Sequence, residues 1–454
     1  MLAGRLNTGA AGPKEGYLFS GKALRDLVIP LIIEQTLAIT VGMADSLMVS
    51  SAGEAAVSAV SLVDSVFILI INLFAALATG GAVICGQEIG RRHMEVSSKA
   101  ASQLVLFTGV FSLVLMGLTY LCRPFILNTV FGKIEPDVME GCRIYLNIVA
   151  ASIPFIALYN AGAAVFRAMG NSRISMLMSL LMNAINLFGN AILIYGLEMG
   201  VAGAAIPTLA SRIAGAVVII HLLFNEKLPV HLSRPFSFRP DFQMLHRLLR
   251  IAVPNGMENS MFQLGKILVL SLAAGFGTAS IAANAVSNTL SVFQNLPGLA
   301  MGFAVLTVVS QCVGADDFEQ ARYYVKRLMI LVHASCFVMS ILVILALPWL
   351  VQLYHLSPEA SGYVQKIITY HGICVFLIWP ISFTLPNALR AAGDVTFPMV
   401  ISIVSMWVFR IGFSYILGLG LHMGIFGIWV AMTIDWLFRA ICFMVRYLGG
   451  KWTK

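Results

Sequence analysis

Runs of ~20 or more apolar residues alternate with short polar segments along the whole chain, a length that suits helices crossing a bilayer. The pattern predicts twelve such spans, near 27–50, 57–84, 99–121, 142–164, 174–195, 201–224, 251–275, 281–311, 327–350, 366–389, 397–418 and 424–446. A polar tail precedes the first run (1–26), and a second closes the chain (447–454). A Pro-rich basic stretch at 225–250 separates two groups of six, 27–224 and 251–446. Its second part, Asp241 to Arg250, reads as an amphipathic helix opened by Asp241 and lying at the membrane surface. An all-α membrane protein with two six-helix lobes is expected.

The two groups are copies. Pro30, Glu34, Gly53, Gln87 and Gly90 recur as Pro254, Glu258, Gly277, Gln311 and Gly314, each 224 residues later. Arg167-Ala-Met-Gly170 recurs as Arg390-Ala-Ala-Gly393, 223 residues later. Six spans per copy mean that both copies enter from the same side, so the halves are parallel repeats about an axis along the membrane normal.

Composition agrees: 59% of residues are hydrophobic and 11% charged, with mean hydropathy +0.88; soluble domains carry about 25% charge. The net charge of +8 lies in short loops, where it reports orientation rather than affinity for nucleic acid. Basic residues cluster at 91–99, 227–250 and 322–327, placing those loops and both termini in the cytoplasm of a plasma-membrane protein. Residues 1–22 lack the apolar core of a cleavable signal. The seven cysteines form no CxxC pair, so no disulfide framework or zinc site is indicated. A Walker A lysine loop, HExxH and GxSxG are absent, which argues against an enzyme or an ATP-driven pump. No cofactor is expected.

Ala44-Asp45-Ser46 at the end of a proline-led first span, Gln87-x-x-Gly90, Arg167-Ala-Met-Gly170, Asn186-x-x-x-Asn190 and Gly203-x-x-x-x-Thr208, in this order over twelve spans, resemble the multidrug and toxic compound extrusion (MATE) transporters. The resemblance covers the whole chain. It implies a V-shaped pair of lobes and export of bulky, often cationic or amphiphilic compounds, driven by H⁺ or Na⁺ entering the cell. It puts the cation site of the amino-terminal lobe at Asp45. A monomer in the bilayer, with a small-molecule substrate and H⁺ or Na⁺ as partners, is the expectation. The alternative is a lipid-linked precursor flippase of the same wider superfamily.

Ionisable groups inside spans are costly and therefore functional candidates. Glu34 and Asp45 are eleven residues apart, which puts them on one helix face about 16 Å apart along the axis. Asn183, Asn186 and Asn190 share a face of span 5, and their amide oxygens are hard ligands for a cation or partners for a carboxylate. Asp45, Asn186, Asn190, Thr208 and, more loosely, Asn160 form the expected coupling site, with Na⁺ binding at Asp45 as one option. In the archaeal-type members the resemblance places an aspartate where Asn190 stands, so this site carries fewer charges. Glu34 and its copy Glu258 are expected to face each other across the cleft and attract cations, with Gln35, Asp64, Asn72 and Asn288 lining the substrate cavity. Lys266, at i+8 from Glu258, is a loose partner for it. Arg410 stands as the one clear mid-span arginine and should pair with Asp435, either as a functional element or as a structural lock.

Overall fold

A computed structural model of the chain describes residues 17–132, 134–354 and 356–453. Residues 1–16 of the expected cytoplasmic tail lie outside the described residues, as does Lys133 between the third and fourth expected spans. The described residues form an all-helical fold, one of the two arrangements, helices or a closed barrel, that leave no backbone group unpaired in a lipid core. The first half holds α1 (Gly21–Ser50), α2 (Glu54–Gly90), α3 (Met94–Leu121), α4 (Pro136–Ala150 bent by 48° into Ile153–Ala168), α5 (Ser172–Gly196) and α6 (Gly200–Leu223). The second holds α7 (Phe242–Ala274), α8 (Thr278–Gly314), α9 (Phe318–Leu353), α10 (Pro358–Leu377 bent by 58° into Pro380–Ala391), α11 (Thr396–Gly420) and α12 (Gly424–Leu448).

Among the described residues, nine helices are long and apolar enough to cross a membrane, and the bent pairs raise this to eleven. The twelfth is α7, whose middle carries Asn255, Glu258, Asn259, Gln263 and Lys266. Equivalent devices recur in each half. Pro30 and Pro254 lie inside α1 and α7. Gly53 and Gly277 turn the chain into α2 and α8 with φ of 104° and 93°, a region that side chains avoid. The fourth helix of each half is the bent one.

The expected boundary at residue 250 is corrected. Asp241 does cap a helix, accepting from the amides of Gln243 and Met244 at 3.0 Å each. That helix does not stop at Arg250 but runs unbroken as α7, because nothing between Leu249 and Ala252 breaks it. The connection proper is 225–241 and is tied to α3. Gln103 donates to the Arg239 carbonyl and accepts from the Asp241 amide, both at 2.9 Å. Val230 and Leu232 are fully buried, which holds the connection against the first lobe.

The lobes meet along α2, which packs on α7 and α8, while α1 also touches α8. At one end this seam is tight and mirrored. Gln87 donates to the carbonyl of Ala391 (2.8 Å), and its copy Gln311 donates to the carbonyl of Ala168 (2.7 Å). The Gln-x-x-Gly and Arg-Ala-x-Gly repeats are therefore the two halves of one inter-lobe joint. Away from it, a cavity of about 700 Å³ opens beside α2 and runs into the second lobe.

Candidate functional site

In the first lobe, α1 lays its acidic face on α5. Glu34 accepts from Ser175 (2.7 Å) and pairs with Arg167 (3.3 Å). Eleven residues along, Asp45 accepts a short hydrogen bond from the side-chain amide of Asn190. Asn190 is fully buried and also within 3.4 Å of the Asn186 oxygen, and Asn186 donates to Thr208 at 3.1 Å. The spacing of Asn186 and Asn190 puts both amides on the α1-facing side of α5, and the chain ends on the α6 hydroxyl. The Asn190 oxygen has no hydrogen-bond partner, so one hard acceptor stands free beside a carboxylate.

Two further residues belong to this network. Arg212, on α6, donates to the Ser152 hydroxyl (2.7 Å) and interacts through its charge with Asp45 and Asp64. Tyr145, on α4, donates to Asp64 at 3.3 Å. Arg212 was visible as an arginine amid the apolar run 201–224. The expectation that Arg410 is the one clear mid-span arginine is thus corrected, since Arg212 and Arg439 also stand well inside long apolar helices.

Other expectations are corrected by which helix face each residue occupies. Asn160 donates to its own helix at the Ile156 carbonyl (2.9 Å) and lines a small space with Arg167, Phe303 and Thr307. It faces the second lobe, not Asp45. Asn183 reaches Ser179 at 3.5 Å and stays outside the Asp45 chain. Glu34 and Glu258 do not confront each other across the cleft. Each is more than 90% buried in its own lobe and neutralised there. Glu258 pairs with Arg390 at 2.6 Å and Arg439 at 3.6 Å, and accepts from Ser402 at 2.7 Å. Arg167 and Arg390 are repeat equivalents, so the joint motif also supplies the counter-ion in each half. A carboxylate so paired projects little field into a cavity, which removes the proposed attraction for cations.

Of the expected cavity residues, Asn72 and Asn288 line the second-lobe cavity. Asp64 sits in the first-lobe network instead, and Gln35 is half-buried on α1. Lys266 does not pair with Glu258, which Arg390 and Arg439 already occupy; it opens into the cavity, 5.5 Å from the Phe262 ring centre. Arg410 also lines the cavity and stands 3.9 Å from Asp435, which is fully buried and accepts a short hydrogen bond from Ser405. Among the described residues, no group of three or more His, Cys, Asp or Glu is placed to hold a metal ion.

A family model described as MatE matches residues 30–192 and 254–416, two segments offset by the same 224 residues as the internal repeat. The chain is 25% identical over 438 residues to "Uncharacterized transporter YisQ" of Bacillus subtilis, covering 95% of each. It is 25% identical over 454 residues to "Probable multidrug resistance protein NorM" of Thermotoga maritima, covering 97% of this chain and 95% of that one. Among solved structures, a MATE protein crystallised in complex with MaD3S superposes with a TM-score of 0.85 at 21% identity, covering 95% of both chains.

Proposed function

The chain belongs to the MatE family of multidrug efflux transporters, and we propose that it is a secondary antiporter that exports organic compounds in exchange for protons by alternating access. The observation that carries this reading is the Asp45–Asn190 contact, a membrane-embedded carboxylate held by a buried amide with an unpartnered oxygen beside it. Such a group can bind and release one cation at a time. A proton is favoured over Na⁺ because Asn190 adds no charge and Arg212 offsets one of the two acids, Asp45 and Asp64. Fewer net negative oxygens bind Na⁺ less well, whereas a proton needs only one carboxylate.

Protonation of Asp45 removes the charge that holds Asn190, loosening α1 from α5. An ion that binds one conformation better than the other shifts the population between them. The basic loops cluster at the end where Gln87 and Gln311 close the lobes, so this is the cytoplasmic end of a plasma-membrane protein with both termini inside. The described conformation is then closed inside and open outside. The six-helix groups α1–α6 and α7–α12 act as the two moving lobes.

The arginine-rich interior of the second lobe favours a second reading, movement of a lipid-linked precursor. Proteoliposome transport with ΔpH and ΔNa⁺ imposed separately tests the main one. Asp45→Asn should abolish ΔpH-driven transport while leaving the protein folded and inserted. Native transport by that variant under a proton gradient would refute the assignment.

A further inference from the structure

The duplicated halves differ in the sign of their interior charge. At repeat-equivalent positions, Asp45 becomes Val269 and Asp64 becomes Asn288, while Gly42 becomes Lys266 and Leu187 becomes Arg410. Inside the second lobe, four cations (Lys266, Arg390, Arg410, Arg439) stand against two carboxylates (Glu258, Asp435), leaving a net +2 among the described residues. In the first lobe three carboxylates (Glu34, Asp45, Asp64) stand against two cations (Arg167, Arg212), leaving a net −1. Glu258 is engaged through both oxygens, by Arg390 and Ser402, whereas Asp435 accepts from Ser405 through one oxygen and leaves the other without a hydrogen bond, 3.9 Å from Arg410. Neither carboxylate lines the cavity, and no other Asp or Glu does.

Trp429 on its wall donates to Asn284 at 3.1 Å, but three other donors that line it are left with unfilled hydrogen-bonding capacity. Lys266 makes no hydrogen bond or ion pair among the described residues, and its side chain is exposed to the cavity. Arg410 is 9% exposed, its Nε has no partner, and its one ion pair is 3.9 Å long. The indole N–H of Trp436, which is also buried and on the cavity wall, is likewise without a partner. Lys266, Arg410 and Arg439 gather around one ring, Phe262, at 5.5, 5.1 and 5.7 Å from its centre. Crowded like charges with unfilled donors inside a membrane protein are costly, and a bound anion relieves both costs.

Resting on the transporter reading above, we propose that the second-lobe cavity binds the anionic group of an amphiphilic organic substrate, at Lys266 and Arg410. The group is a carboxylate, sulfonate or phosphate, which accepts the charge-assisted hydrogen bonds these donors offer. Trp379, Phe383 and Trp429 provide flat walls for an apolar or aromatic body. Asn259, Gln263 and Asn284 provide adaptable polar contacts. A simple cationic substrate would meet Lys266 and Arg410 as repulsion. The two lobes thus divide the work, with the coupling cation in the first and the substrate anion in the second.

Two dyes that share a xanthene ring but differ in charge isolate the sign. Binding of carboxyfluorescein and of rhodamine 6G to the purified protein is measured by fluorescence anisotropy, with no ion gradient present. Carboxyfluorescein should bind more tightly. Lys266→Gln should weaken it about tenfold, the loss of one charge-assisted contact, and leave rhodamine 6G unchanged or improved. Lys266→Glu should invert the preference. In proteoliposomes, translocation of a fluorescent phosphatidylglycerol that depends on Lys266, without binding of the soluble dye, would assign the anion to a lipid headgroup. Preferential binding of rhodamine 6G, or handling of both anions that is indifferent to Lys266, overturns the proposal. Because binding is read without a gradient, Lys266-dependent anion binding with no ΔpH-driven transport would sink the antiport reading and leave the anion site standing.

Discussion

Gly90 lies so close to the backbone of Gln311 that a β-carbon on it would collide with the Gln311 carbonyl, and its copy Gly314 stands in the same relation to Gln87. The two glycines let α2 and α8 touch backbone to backbone, and the flanking glutamines stitch each helix to the opposite lobe. Overpacking of this kind costs about 1–3 kcal/mol. That is enough to shift an equilibrium between closed and open lobes by one to two powers of ten. Gly90→Ala or Gly314→Ala should therefore favour the state open at this end. Cysteines placed across the seam should cross-link less in either variant, and transport should slow. Undiminished cross-linking would show that the contact does not hold the lobes closed.

Asn190→Asp places a second carboxylate against Asp45. Two like charges at that distance cannot both ionise easily, so they share a proton or bind a cation between them. Transport that is indifferent to Na⁺ in the native protein should become Na⁺-stimulated in the variant. Asn190→Leu should instead leave Asp45 without its donor and depress transport at every Na⁺ concentration. Identical Na⁺ profiles for the native and Asp variants would place the ion elsewhere.

Glu34 and Glu258 should behave as structural carboxylates. Removing one partner of a buried ion pair costs about 3–5 kcal/mol, because the other charge is left uncompensated. Glu34→Gln and Glu258→Gln should both lower the melting temperature in detergent and reduce transport of all substrates alike. Glu34→Gln combined with Arg167→Met should recover much of the lost stability. Selective loss of cationic substrates with normal melting would restore a role in substrate attraction.

The topology is testable with a native reporter. Cys122 is exposed at the end of α3 opposite the 225–241 connection. An impermeant maleimide added to intact cells should label Cys122 from outside. Ser237→Cys, in the connection, should react only after the cells are opened. The reverse pattern would invert the orientation.

Hydrophobic run length and the 224-residue repeat were enough to determine the helix count, the two lobes and their parallel relation, because each of these depends on local composition or on copying. The eleven-residue spacing of Glu34 and Asp45 and the four-residue spacing of Asn186 and Asn190 gave the correct shared faces, since helical periodicity is a local property. Partner choice across helices was decided only by the tertiary structure. Glu34 and Glu258 read as free acids until packing brought Arg167 and Arg390 onto them from about 130 residues away. Asn160 has the right chemistry on a face turned the wrong way. Lys266, about two helical turns from Glu258, reads as its loose partner in sequence, and the cavity explains why the pair does not form: an ammonium can remain unpaired mid-span where a water-filled space or an anion solvates it. The Gln-x-x-Gly and Arg-Ala-x-Gly repeats were legible as motifs, but only folding showed that one half's motif completes the other's, because a contact between lobes leaves no periodicity in either strand of sequence.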